Sequence, residues 1–195
     1  MKFYLFRHGE TDWNKVQRIQ GSTDTELNAT GIEQAKSLIP KLEPLGLEAI
    51  ISSDLKRAYK TGEVVANALK LPIFKDKRLR EAHFGEAEGK TVAEVKELYG
   101  EDLWSKFRNY NKKDEDVRFP GGESRAESII RMRSVIEELI ENPSYQRVGI
   151  ATHGGVVCNL LLSYLPEGSA TLSVPNCVVY ELSYKDSSYL VRGPL

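Results

Sequence analysis

Two apolar runs in this chain stop abruptly at a charged, glycine-marked tip. Phe3-Tyr4-Leu5-Phe6 ends at Arg7-His8-Gly9, and Val148-Gly149-Ile150-Ala151-Thr152 ends at His153-Gly154-Gly155. Short apolar runs bounded by turn signals predict buried strands. Ala49 to Ser53 predicts another, Leu71 to Phe74 a shorter extended run, and Val178 to Leu182 a final strand followed by a short polar hairpin. Between them the spacing becomes helical. Thr30-Gly31-Ile32-Glu33 has the form of a capping box, with Ile32, Ala35, Leu38, Ile39 and Leu42 on one face until Pro40 kinks or ends the helix. Leu55, Ala58, Val65 and Leu69 give the next helix an inward stripe.

Thr91 to Tyr99 and Asp102 to Phe107 are also predicted helical, whereas Arg78 to Gly85 has no period and is a loop. Asn109 to Gly122 is polar and ends in Pro120-Gly121-Gly122, the composition of a mobile surface loop. Ser124-Arg125-Ala126-Glu127 is a second capping box, opening a helix whose apolar face is Ala126, Ile129, Ile130, Val135, Ile136, Leu139 and Ile140. Gly154-Gly155 turns the chain sharply into a last helix, Val156 to Leu162. Strands alternating with helices predict one α/β domain over residues 1–195 with a largely parallel sheet.

Composition narrows the function classes. The 195 residues are 41% hydrophobic and 28% charged, with 27 Lys and Arg against 28 Asp and Glu. No global field recruits nucleic acid or a membrane surface, and no apolar stretch approaches the roughly 18 residues that span a bilayer. Met1-Lys2 leads directly into the first strand without a secretory signal, and Cys158 and Cys177 lie in apolar surroundings, so two reduced thiols in a cytoplasmic protein are expected. A zinc site would have to combine them with three histidines at unhelpful spacings.

The chemistry sits at the strand tips. In an α/β sheet, ligands bind outside the carboxyl ends of the strands. His8 and His153 would share that edge, and Arg57 would stand in the first turn of the helix after Ser52-Ser53, near amides that favour an anion. An arginine fork can hold an anion while an adjacent imidazole attacks it. His83 is expected to be structural, and Lys75, Lys77, Arg78 and Arg80 a solvated basic face. Trp104, Phe107 and Tyr110 are expected to pack beneath the 109–122 loop.

Arg7-His8-Gly9-Glu10-Thr11 closely resembles the signature of the histidine phosphatase superfamily, the phosphoglycerate mutase-like proteins. Further matches follow in the family's own order: Gln20-Gly21 with Leu27 to Gly31, Ser52 to Ala58, Leu79-Arg80-Glu81 through Glu88-Gly89, and Thr152 to Gly155. The resemblance implies a three-layer α/β sandwich with a mostly parallel central sheet flanked by helices. It also implies a phosphohistidine mechanism without metal or other cofactor. Carried over, His8 is the nucleophile, Arg7, Arg57 and His153 surround the phosphoryl group, and Glu81 donates the proton. Asn14 is assigned to the phosphate, and Gln20, Gly21, Thr23 and Gly154 to the substrate.

The compact Pro120 to Ser124 run with Phe84-Gly85 and Glu88-Gly89 looks like the small phosphatase branch, although Ala87 stands where a tryptophan is usual. The expected activity is hydrolysis of a small phosphorylated metabolite, with phosphoglycerate mutase as the alternative. A non-catalytic phospholigand-binding protein would be expected to lack the nucleophile or the acid, yet His8, Glu81 and His153 are present. Residues 101–124 are expected to form a cap, with Lys112 and Lys113 helping to select the alcohol group.

Overall fold

The strand β1 (Lys2–Arg7) turns Phe3 and Leu5 to one face and Tyr4 and Phe6 to the other, all essentially without solvent exposure. Such a strand must be covered twice. Phe3 and Leu5 join one core with Met132 and Ile136 of helix α6 (Arg125–Glu141) and Val157 and Leu160 of helix α7 (Gly154–Leu162). Tyr4 and Phe6 join the other with Leu38 and Leu42, the second in helix α3 (Ile39–Leu42), and Val65 of helix α4 (Lys56–Leu69). The structure, a computed structural model, describes residues 1–109 and 112–195 and the side chains of all these but Lys112. The expectations for Tyr110 and for the Lys112 side chain lie outside that description.

Among the described residues the sheet has six strands in the order β3-β2-β4-β1-β5-β6. Besides β1 these are β2 (Ala49–Ser52), β3 (Ile73–Lys75), β4 (Arg147–Thr152), β5 (Val179–Lys185) and β6 (Ser188–Arg192). The first four strands in this order run parallel, while β5 and β6 add an antiparallel hairpin beyond β1. The protein is therefore an α/β sandwich with a mostly parallel sheet flanked by helices. Arg7 pairs with Thr152, and Ser52 with Ala151. This register brings the residues that follow, His8, His153 and Ser53, to one edge.

Several local expectations change. The helix α2 (Ala29–Ser37) is capped by Asn28, whose Oδ1 accepts from Gly31 N at 2.8 Å, so Thr30 lies inside the first turn. Pro40 falls in the first turn of α3, after the break. The two expected helices after Thr91 are present, in contrast: the span α5 (Val92–Arg108) is two helical stretches meeting at Gly100, whose φ of +85° and ψ of 155° are not helical. Ile130 is exposed, because the apolar face of α6 turns past it. Nor is the 109–122 segment polar throughout. Phe119 is buried against Ala87, Val95 and Phe107, which anchors that stretch to a third small core.

Candidate active site

His8 follows β1 directly and is buried, with Nδ1 2.7 Å from the Gly9 carbonyl. A carbonyl only accepts, so Nδ1 carries the proton and the lone pair belongs to Nε2. Burial first, then the charges of Arg57 and Arg7, push the His8 pKa well below the ordinary 6.5. The imidazole is thus neutral and basic at one nitrogen. Gly9 N donates to Thr61 Oγ1 at 3.0 Å, and that hydroxyl donates to the Arg57 carbonyl at 2.8 Å, fastening the β1 tip to α4.

Arg57 is buried in the first turn of α4. Its Nη1 donates to the Thr23 carbonyl at 2.8 Å and its Nη2 to the Gly21 carbonyl at 2.7 Å. Burial lowers its pKa to about 10, so the guanidinium stays charged at neutral pH. Arg7 donates from Nη1 to the Val174 carbonyl at 2.7 Å. Among the described residues neither arginine forms a direct ion pair with a carboxylate, and Nε of each is buried without a hydrogen-bond partner. His153 has Nε2 2.8 Å from Ser53 Oγ, while its buried Nδ1 also lacks a partner among the described residues. Burial, followed by the Arg57, His8 and Arg7 charges, pushes its pKa well down too. The unpaired buried nitrogens of Arg7, Arg57 and His153 suit an anion as partner.

Glu81 reaches the same place from the other side. Gly155 N, in the first turn of α7, donates to Glu81 Oε2 at 3.0 Å, and Ala82 N lies 3.2 Å from Oε1. A Cβ on Gly155 would stand 2.6 Å from Oε1, so the close approach depends on glycine. The site opens into a cavity of about 540 Å³ lined by Arg7, His8, Arg57 and Glu81. Asn14, Gln20, Gly21 and Gly154 line it as well, whereas His153 and Thr23 do not. Asn14 Oδ1 is engaged by Thr11 N at 3.1 Å, leaving its Nδ2 without a partner among the described residues. Thr23 Oγ1 donates to Glu88 Oε2 at 2.6 Å, so Thr23 reaches the site through its carbonyl on Arg57.

Other groups have roles that the motifs did not assign. Glu88 gathers Ser22 N at 2.8 Å, Thr23 N at 3.1 Å, Phe84 N at 2.9 Å and His83 Nδ1 at 2.8 Å, tying together the 20–25 and 82–88 loops. Burial alone would raise its pKa, but these bonds hold it below the carboxylate norm. His83 is thereby an exposed hydrogen-bonded group. Asn176 donates to the His8 carbonyl at 2.9 Å and binds the loop before β5 to the β1 tip. Arg78 and Arg80 are ion-paired with Asp76 and Asp54, so they are less free than a solvated face implies. The outer wall belongs to Trp104, Phe107 and Arg108 at the end of α5, with Val117; exposed Lys113 is not part of it. Among the described residues no group of three or more His, Cys, Asp or Glu side chains is placed to hold a metal. No helix among them is long and apolar enough to cross a membrane.

A family model for the histidine phosphatase superfamily (branch 1) matches residues 3–193. "Probable phosphoglycerate mutase GpmB" of Proteus mirabilis is 33% identical over 196 residues, covering 99% of this chain and 89% of that protein. Among solved structures, mycobacterial glucosyl-3-phosphoglycerate phosphatase complexed with VO3 superposes with a TM-score of 0.87 at 28% identity, covering 98% of this chain and 96% of the other. The alpha-ribazole phosphatase of Shigella flexneri gives a TM-score of 0.80 at 26% identity, covering 98% and 95%.

Proposed function

The chain belongs to the histidine phosphatase superfamily, and from that premise we propose that it hydrolyses a small phosphomonoester through a phosphohistidine at His8. The observation carrying this reading is the buried, neutral His8, with its proton held on Nδ1 by the Gly9 carbonyl, between two arginines that have no carboxylate in direct contact among the described residues. Activity as a phosphoric monoester hydrolase accords with phosphatase structures such as those above. A reducing, cytoplasmic setting fits the two free thiols, Cys158 and Cys177.

Arg7 and Arg57 hold the equatorial phosphoryl oxygens, where transition-state charge is spread. His8 Nε2 attacks phosphorus in line as the ester P–O bond breaks, and the leaving oxygen takes a proton from Glu81. Ser53 Oγ accepts from Leu55 N at 3.3 Å, and by donating its own hydrogen to His153 Nε2 it leaves His153 Nδ1–H for the phosphoryl group. In the second half, the Glu81 carboxylate takes a proton from water as the water oxygen attacks phosphorus. The P–N bond breaks, releasing inorganic phosphate and restoring neutral His8. Arginine forks neutralise the dianion throughout, so activity is expected to survive exhaustive EDTA treatment, with strong inhibition by vanadate.

Brief incubation with a radiolabelled phosphomonoester and an alkaline quench should trap acid-labile phosphate on the enzyme, with the label and turnover absent from His8→Ala. Label retained by that variant would assign the nucleophile elsewhere. The curated relative named a mutase raises a second reading, in which phosphohistidine passes its phosphoryl group to another hydroxyl. Chasing the labelled enzyme with phosphoglycerate separates the two: inorganic phosphate supports hydrolysis, and labelled bisphosphoglycerate or isomerised phosphoglycerate supports the mutase.

A further inference from the structure

Glu81 lies in a stretch that no regular element supports, since residues 80–84 belong to neither helix nor strand. A general acid must stay within hydrogen-bond reach of the leaving oxygen, so a stretch of this kind has to be held by side chains from elsewhere. Gly155 N and Ala82 N act on the carboxylate itself. The backbone on either side is held by other groups.

Before Glu81, three successive carbonyls are engaged. Arg131 Nη1 donates to those of Arg78 at 2.5 Å and Arg80 at 3.0 Å, and Thr152 Oγ1 donates to that of Leu79 at 2.8 Å. After Glu81, Glu123 N donates to the His83 carbonyl at 2.7 Å, and Glu123 Oε2 accepts from His83 N at 3.3 Å. The Glu123 carboxylate also takes the other two nitrogens of the Arg131 fork, Nε on Oε1 at 2.9 Å and Nη2 on Oε2 at 2.7 Å. One bidentate ion pair thus joins the two flanks of Glu81. Its side chains are only 24% and 19% exposed, and a fork in that setting holds its geometry better than an exposed surface pair. Arg131 also starts from a firm base, because its α6 neighbours Met132 and Val135 are buried in the main core. Arg131 does not line the active-site cavity, whereas Glu81 and Glu123 do. It can act on the reaction only through the loop it holds.

We propose that Arg131 is a positioning residue for the acid: its fork, closed on Glu123, clamps residues 78–83 so that Glu81 meets the leaving oxygen. This rests on the phosphatase reading with Glu81 as proton donor. Arg7, Arg57 and His8 are held by other contacts, to the carbonyls of Val174, of Gly21 and Thr23, and of Gly9. The clamp therefore governs proton delivery and leaves phosphoryl binding alone.

The test compares kcat/KM, which reports the steps up to release of the alcohol, for two esters. The alkoxide of glycerol 3-phosphate needs a proton, whereas the phenolate of p-nitrophenyl phosphate leaves without one. Arg131→Met should lower the first by about tenfold or more relative to the second, a large part of what a general acid supplies. Vanadate inhibition should stay near that of wild type. In Glu81→Gln, adding Arg131→Met should change the rate on either ester by less than about threefold, because residues that act as one unit are not additive. Arg131→Lys keeps the charge but cannot reach the carboxylate and both carbonyls together, so its loss should be intermediate; it carries the same test should Arg131→Met not fold. The clamp is overturned by equal losses on both esters, by vanadate inhibition weakened in parallel, by losses that multiply in the double variant, or by a wild-type ratio in Arg131→Lys. If Glu81→Gln itself slows both esters alike, the acid role falls and the clamp with it. Failure of wild type to hydrolyse any phosphomonoester would instead overturn the phosphatase reading.

Discussion

His8 and His153 stand edge to face, with ring centroids 5.3 Å apart and planes at 61°, both buried next to Arg7 and Arg57. Burial first, and then the Arg57 and Arg7 guanidiniums, keep both neutral, and His8 adds to the effect on His153, since a further positive charge in a dry site is costly. Their folded-state pKa values lie well below 6.5, so the unfolded chain binds protons first as pH falls. Stability is therefore retained above pH 6.5 and declines below it, towards the depressed folded values. Each histidine contributes a slope of up to about 1.4 kcal/mol per pH unit. Denaturant unfolding of the unliganded protein between about pH 7 and 5 should show this decline, with a shallower slope in His153→Gln. A flat profile in both would mean that the pair takes up protons without unfolding.

Glu81 is placed to supply a proton, so its value should track the need of the leaving group. Glu81→Gln keeps an oxygen for Gly155 N but cannot donate an acid proton. Rates on alkyl phosphates should fall roughly a hundredfold or more, and phosphorylation of His8 by an activated aryl phosphate should suffer less. Equal losses in single-turnover phosphorylation by both would remove the acid role.

Glu88 acts on the phosphate site through another residue. Its carboxylate accepts from Ser22 N, Thr23 N and Phe84 N, and the loop it shapes presents the Gly21 and Thr23 carbonyls to Arg57. Glu88→Gln sets an amide donor against those N–H groups, so Arg57 should lose its fixed position. The vanadate inhibition constant should rise by about tenfold, as expected for one disturbed charge-assisted contact. His83→Ala, which removes an exposed partner of the same carboxylate, should change it much less. Unchanged inhibition in Glu88→Gln would show that Arg57 is held without this loop.

Gly9 faces Gly31 across a backbone contact. A Cβ on Gly9 would come within 2.9 Å of the Gly31 carbonyl carbon and collide with its oxygen. Because backbone cannot rotate aside as a side chain can, Gly9→Ala should cost about 1–3 kcal/mol or more, read as a lower denaturation midpoint with reduced phosphate affinity. Wild-type stability in this variant would mean that α2 slides to accommodate the methyl group.

Much of the framework was legible because it obeys local rules. A run such as Phe3 to Phe6, with no polar position, is stable only as a strand covered on both faces, and Ser124 with Glu127 satisfies the orphan amides at the start of α6. The α2 cap was misplaced because Thr30 and Asn28 carry equally good capping chemistry, and the contacts of the preceding loop select Asn28. Phe119 was hidden by its charged neighbours, because burial of one aromatic ring beneath a polar loop has no period to betray it.

The sequence by itself determined which groups are available: two histidines and an arginine beside strand ends, a second arginine opening a helix, and an acid in an irregular loop. Only the tertiary structure decided what they face. Parallel register between β1 and β4 brings His8 to His153, and carbonyls from a distant loop aim Arg57. Glu88 reaches Ser22 and Thr23, and Arg125 the carbonyls of Lys106 and Phe107, through contacts between segments well separated in the chain. Electrostatics and hydrogen bonding act over a few ångströms of space regardless of sequence separation, so no local pattern could encode these roles.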